Sequence, residues 1–242
     1  MLPPPVARAE DAVPKPSERL RIKVELAAPP LVGSSGILLC HPRAREIVPR
    51  YLAAGYHVAR SAVPLMETAL GRARELARGD AVAAGLVPYL ERHILEETHG
   101  EEPGGALLDD LEALGVDADD LRTGFPGPKV AALVGAQYYW ILVHHPVAVL
   151  GYLQLEHFHP LEPTVEQLIE ATRLPREGFS QLLLHAEVDI EHARELDEVV
   201  DGLALEPYHE RLIGLSALQT IGLLSEVLLD VVEEKAADSS RT

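Results

Sequence analysis

The chain has 242 residues, 47% hydrophobic and 24% charged, a balance that excludes wholesale disorder and allows one large domain or two small ones. Its 21 Lys and Arg against 38 Asp and Glu give a net charge of −17, which argues against a nucleic-acid backbone or an anionic membrane surface as the main partner. A single cysteine, Cys40, cannot form an internal disulfide, which suits a reducing compartment.

No apolar run approaches the roughly 20 residues of a transmembrane helix, and the Met-Leu-Pro-Pro-Pro start lacks the basic-then-apolar layout of a signal peptide. The expectation is a soluble cytoplasmic protein.

Prolines crowd the first thirty residues, at 3, 4, 5, 14, 16, 29 and 30, and predict an extended, irregular arm over residues 1–40. Arg21 to Leu26 alternates weakly enough to suggest at most a short strand, and Val32-Gly-Ser-Ser-Gly36 marks the end of the arm. From about His41 the pattern is helical. Arg43 to Ala77 forms one helix, with Pro49 and Pro64 as starts or kinks; Gly79-Asp80 separates it from a second, Ala81 to His99. Gly100 and Pro103-Gly104-Gly105 stop that helix. One or two short acidic helices follow over Leu107 to Leu121. Pro128 opens a long apolar helix to about His144, and Pro146 another through about Phe158. A shorter helix ends near Arg173, and Arg176–Val200 and Leu205–Glu234 complete the set. Residues 41–235 thus form the helical domain and 236–242 a polar tail. There is no series of alternating strands and no fixed-period repeat, so the fold class is all-α.

Three segments carry chemistry. His185-Ala-Glu-Val-Asp189-Ile-Glu-His192 is an H-x3-D-x2-H pattern. At about 100° per residue, Asp189 lies about 40° and His192 about 20° from His185, so all three project from one stripe while Glu187 and Glu191 fall off it. Two imidazoles and a carboxylate so placed suit iron, manganese or zinc. Glu96-Glu97-Thr98-His99 sets Glu96 and His99 three apart on one face, with Glu97 pointing elsewhere; Glu-x-x-His is the unit with which di-iron bundles bind metal. Asp189-x-x-His192 is the same unit with the shorter carboxylate. Glu156 stands among Val147, Val149, Leu150, Leu153 and Leu155, where an ionisable group is costly unless paired or coordinated.

Glu96-x-x-His99, then Glu156 in a Gly-Tyr-x-x-x-Glu context, then His185-x3-Asp189-x2-His192 resembles the haem-oxygenase-like di-iron oxidases, with 57 residues from His99 to Glu156 and 29 from Glu156 to His185. The likeness covers about Pro64 to Val200; the proline-rich arm matches nothing in that family. It implies a helical bundle of about seven core helices around two Fe ions, with Glu96, His99, Glu156, His185, Asp189 and His192 as metal ligands. It also implies an O2-dependent oxidase or oxygenase acting on a small amine- or carboxylate-bearing metabolite, by N-oxygenation, C–C cleavage or desaturation. Some relatives add a carboxylate from an earlier helix; Glu67 is a candidate, but nothing in its spacing singles it out, and it is left out of the ligand set.

Two other readings compete: a cofactor-free or haem-using enzyme on the same fold, and a non-enzymatic helical binding protein with a vestigial metal site. For His144, His145, His157 and His159, beside helix ends, surface or capping roles are expected; Tyr138, Tyr139, Trp140 and Tyr152 are expected as core aromatics. Arg60, Arg92 and Lys129 are the cations considered for a substrate carboxylate. The leucine-rich last helix has residues enough for both a core face and a homodimer face.

Overall fold

Proline decides where the first helices begin. In the computed structural model, which describes residues 13–98, 104–156 and 161–238, Pro16 stands at the first position of α1 (Pro16–Ala27) and Pro29 and Pro30 open α2 (Pro29–Cys40). A proline there loses no hydrogen bond, since the first-turn N–H groups have no intrahelical partner. The expected extended arm is therefore helical from Pro16 onward. The candidate strand at Arg21–Leu26 lies inside α1, and Val32–Gly36 lies inside α2. Leu20 and Val24, four apart, and Leu31 and Leu38, seven apart, turn inward and join the main core. Ion pairs tie α1 down: Arg19 grips Glu210 through two hydrogen bonds of 2.7 and 2.9 Å, and the Ser17 N–H donates to Asp201 at 2.9 Å.

Among the described residues nine more α-helices follow: α3 (Ala44–Leu76), α4 (Ala81–Thr98), α5 (Gly105–Ala113), α6 (Ala118–Thr123), α7 (Pro128–Tyr139), α8 (Val149–Glu156), α9 (Glu162–Thr172), α10 (Ser180–Gly202) and α11 (Pro207–Asp238). There is no strand among the described residues. α3 runs unbroken through Pro49 and Pro64, because an inward stripe including Ile47, Leu52, Leu65, Met66 and Ala73 holds it against its neighbours. The apolar stretch after Pro128 is helical to His144, but its last turn, Trp140–His144, is a π-helix. α11 continues to Asp238, past the start of the expected tail.

α11 is the central staple, packed on α1, α2, α7 and α8, while α3 lies along α4 and α7. One large core joins these helices, and a second, centred on Phe179, Leu108 and Leu111, sits beneath α5, α9 and the start of α10. Within α11, Pro207–Glu233 has the length and apolarity to cross a membrane, with mean hydropathy 1.8, but 56% of that window is buried inside the bundle. The expectation of no such stretch is thus corrected: scattered charges broke the run in sequence, yet the helix is apolar enough by composition. Its apolarity is used by the core.

One polar junction inside the core fixes the register of α7 on α11. Gln137, with no exposed surface, donates to Thr220 at 3.0 Å and accepts from the Ser216 hydroxyl at 2.9 Å. Gln137→Leu leaves that hydroxyl buried without its acceptor, so the variant is expected to lose about 1–3 kcal/mol in urea unfolding. Ser216→Ala in the same background should recover part of the loss.

Candidate metal centre

Side chains of α4 and α10 reach one another at the level of the sequence-predicted ligands. Arg92 on α4 reaches Glu195 on α10 at 3.2 Å and its own neighbour Glu96 at 3.5 Å. One turn inside this ion pair, the rings of His93 and His192 meet edge to face at 5.6 Å between centroids. Tyr89 stacks on the other side of His93 at 5.3 Å. Glu96 splits its carboxylate, with Oε1 toward Arg92 and Oε2 3.7 Å from His93 Nδ1. Glu97 Oε1 stands 3.9 Å from His93 Nε2.

Of the six residues expected as ligands, Glu96 and His192 thus converge around His93. His185 lies half-buried on α10, which is continuous from 180 to 202 and so carries positions 185, 189 and 192 in one helical register. His99 lies outside the described residues. Glu156 ends α8 and Asp189 belongs to α10, but the side chains of both lie outside the described residues. Glu97, expected to point elsewhere, approaches the same imidazole as Glu96; three and four residues on from His93, both share its face. Glu67 is exposed on α3.

Sequence spacing passed over His93. It is 2% exposed and interrupts the inward stripe Val82, Leu86, Tyr89, Leu90 of α4, which is the signal that could have found it. Burial, then the neighbouring His192 and Arg92, lower its pKa to about 4, so its imidazole is neutral at pH 7 and offers a nitrogen lone pair. Carboxylate oxygens and neutral imidazoles without thiolate are donors that iron accepts, so the donor set fits iron.

The three cations considered for a substrate carboxylate are engaged elsewhere. Arg60 covers the Tyr56 ring and reaches the Leu121 and Arg122 carbonyls, Arg92 bridges Glu96 and Glu195, and Lys129 pairs with Glu226. A surface groove between α1 and α11, lined by Val13, Arg19, Lys23, Gly214, Leu215 and Leu218 among others, takes no residue from α4 or α10.

A second cluster stands apart. Asp80, His145 and His209 bring their ligand atoms within 4.8 Å of one another, the arrangement of a possible metal-binding triad. Its hydrogen bonds favour protons over a metal. His145 Nδ1 accepts the Val147 N–H at 3.1 Å, and His209 Nδ1 accepts the Glu206 N–H at 3.2 Å. A neutral imidazole accepting at Nδ1 carries its proton on Nε2, the atom that His145 sets 3.2 Å from Asp80 Oδ2. Asp80 also caps α4 by accepting the Ala83 N–H at 2.9 Å. Three helix starts therefore meet at one carboxylate. His145 has the capping role expected of it, and in addition a buried acidic partner that the sequence did not reveal.

The chain defined by these features has a haem oxygenase-like fold. A solved structure described as a domain of unknown function with that fold, from Shewanella denitrificans OS217, matches with a TM-score of 0.72 over 93% of both chains at 16% identity. At that identity the likeness shows the fold alone. No protein-family model and no curated protein matches the sequence.

Proposed function

We propose that the protein is a non-haem di-iron, O2-dependent oxidase or oxygenase acting on a small amine- or carboxylate-bearing metabolite. The observation that carries this reading is the meeting of α4 and α10, where Glu96 and His192 converge on the neutral, buried His93. His185 and Asp189 on α10, Glu156 at the end of α8 and His99 after α4 complete the ligand set that the family resemblance implies. Iron, when bound, would supply the reduction of O2, for which protein side chains of this kind have no capacity.

The protein's own part is to hold and to shield. The Arg92–Glu195 pair clasps α4 to α10 and, through Glu96 Oε1, fixes the carboxylate that faces inward. Leu86, Leu90 and Tyr89, all buried, keep water from the inner side of His93. The lone Cys40 suits a reducing cytoplasm, the 56% burial of the apolar α11 window suits a soluble protein, and the net charge of −17 argues against a nucleic-acid partner. Exposed Leu215 and Leu218 on α11 leave room for a homodimer.

Anaerobic titration of metal-free protein with ferrous ion, followed by O2 in a stopped-flow spectrometer, tests the proposal. Two irons per chain and an O2-dependent transient absorbance are expected, with both lost in His192→Ala. Absence of stoichiometric iron binding would move the function to a cofactor-free enzyme or a binding protein.

A further inference from the structure

Resting on that reading, we infer that His93 is itself a metal ligand, and that His93, Glu96 and Glu97 form a carboxylate–histidine–metal relay on α4 alone. His93 Nδ1 and Glu96 Oε2 bind the same ion, and Glu97 closes onto His93 Nε2–H when the ion is bound.

Spacing carries the argument. The 3.7 Å between His93 Nδ1 and Glu96 Oε2 is longer than a hydrogen bond. Two donors bound to one ion at about 2.0–2.2 Å each lie at most about 4.3 Å apart, so this separation fits a shared metal. The 3.9 Å between Nε2 and Glu97 Oε1 lies on the opposite side of the ring. Histidines that bind metal through one nitrogen commonly donate the other N–H to a carboxylate, which sets the tautomer and raises the basicity of the ligand. Glu97, at 3.9 Å still beyond hydrogen-bond distance, faces the nitrogen where that acceptor is needed and must approach by about 1 Å to fill the role.

Packing gives the ring one orientation. Tyr89 stacks on it from the preceding turn, and the edge of His192, already assigned to the centre, abuts it from α10. A histidine merely filling the core would have no need of two carboxylates, three and four residues on, aimed at its two different nitrogens. The division also accounts for Glu96 and Glu97 standing side by side in the sequence: one binds the ion and the other orients the histidine.

The test is iron stoichiometry and affinity by anaerobic calorimetry with ferrous ion, read beside the ligand-field absorption of the cobalt(II)-substituted protein. His93→Gln, close in volume and polar, guards against a folding defect, and circular dichroism checks both it and His93→Ala. Wild-type protein should take two irons, and either His93 variant should lose one or bind it at least 100-fold more weakly. Glu97→Gln should keep both irons but weaken one by about 10–100-fold and change the cobalt spectrum. Wild-type affinity and spectrum in folded His93→Gln would overturn the inference while leaving the di-iron reading intact. Failure of wild-type protein to bind iron would overturn both.

Discussion

Gly151→Ala is expected to destabilise the protein by about 3 kcal/mol or more, a large part of the 5–15 kcal/mol typical of a folded domain. The α8 and α11 backbones cross at this position. A β-carbon on residue 151 would lie 2.2 Å from the Ile213 carbonyl oxygen, 2.8 Å from the Ala217 nitrogen and 2.9 Å from Ser216 Cβ. Two of those contacts are backbone atoms of a long core helix, so no side-chain rotation relieves them and the helices must separate. Gly135 in α7 provides the control, with nothing within 4 Å of its added β-carbon. Gly135→Ala should be neutral or stabilising by up to about 1 kcal/mol, through helix propensity alone. Urea unfolding of the two variants side by side checks the contrast; equal, small effects would mean that α8 and α11 do not approach so closely. The crossing matters to function because α8 carries Glu156 five residues further on, and a displaced α8 would move the end of the helix that supplies it.

Loss of the Asp80–His145–His209 junction should be nearly as severe. His145→Ala removes a buried bond to Asp80 and the cap on Val147 and leaves a cavity, together about 3 kcal/mol at pH 7. The junction also predicts acid sensitivity. Burial, reinforced by nearby His209 and Arg72, holds the His145 imidazole below its ordinary range although Asp80 pulls the other way. Burial alone would raise the Asp80 carboxyl, but the Ala83 N–H and His145 outweigh it and hold the group below its usual value. With the folded pKa of His145 depressed, the unfolded chain binds the proton first as pH falls below about 6.5. Stability is therefore full above that point and declines below it, by up to about 1.4 kcal/mol per pH unit for each proton. Below about pH 4, Asp80 adds a second decline of the same sign. The structural reason is that an imidazolium would carry a proton on Nδ1, facing the Val147 N–H that now donates to it. His145→Gln, which keeps an acceptor and a donor but does not titrate, should flatten the decline between pH 6.5 and 5. An unchanged slope in that variant would place the acid sensitivity elsewhere.

Helix boundaries from α3 onward were legible because they are written in local chemistry. Gly79-Asp80 breaks the chain and then caps α4, Pro128 opens α7, and Pro146 leads into α8. Residues 16–40 were misread because proline has two opposite meanings: it ends a helix from within and begins one from its first turn. Pro16 and Pro29 begin helices, and the inward Leu20, Val24, Leu31 and Leu38 decide between the two meanings only once α10 and α11 are there to receive them. Among the aromatics, Tyr152 is in the core as expected, whereas Tyr139 is half exposed where the π-turn rotates the end of α7 outward.

The candidate centre was partly legible for the same reason. Spacing along one helix reveals which side chains share a face, so the α10 stripe and Glu96 stood out. Spacing cannot say which face looks at another helix. Spacing gave no notice of His93, because nothing along α4 shows that α10 brings His192 to its edge, and Glu97, expected to point elsewhere, approaches His93. The Asp80–His145–His209 junction joins residues up to 129 positions apart and had no local signature at all.

Anomalous diffraction at the iron edge, from crystals grown and loaded with ferrous ion without oxygen, tests the central claim most directly. The account predicts iron between α4 and α10, about 2.2 Å from donor atoms of Glu96 and His192, with His93 in the same shell and the Asp80–His145–His209 junction empty. Iron at that junction, or no ordered iron between α4 and α10, would contradict it.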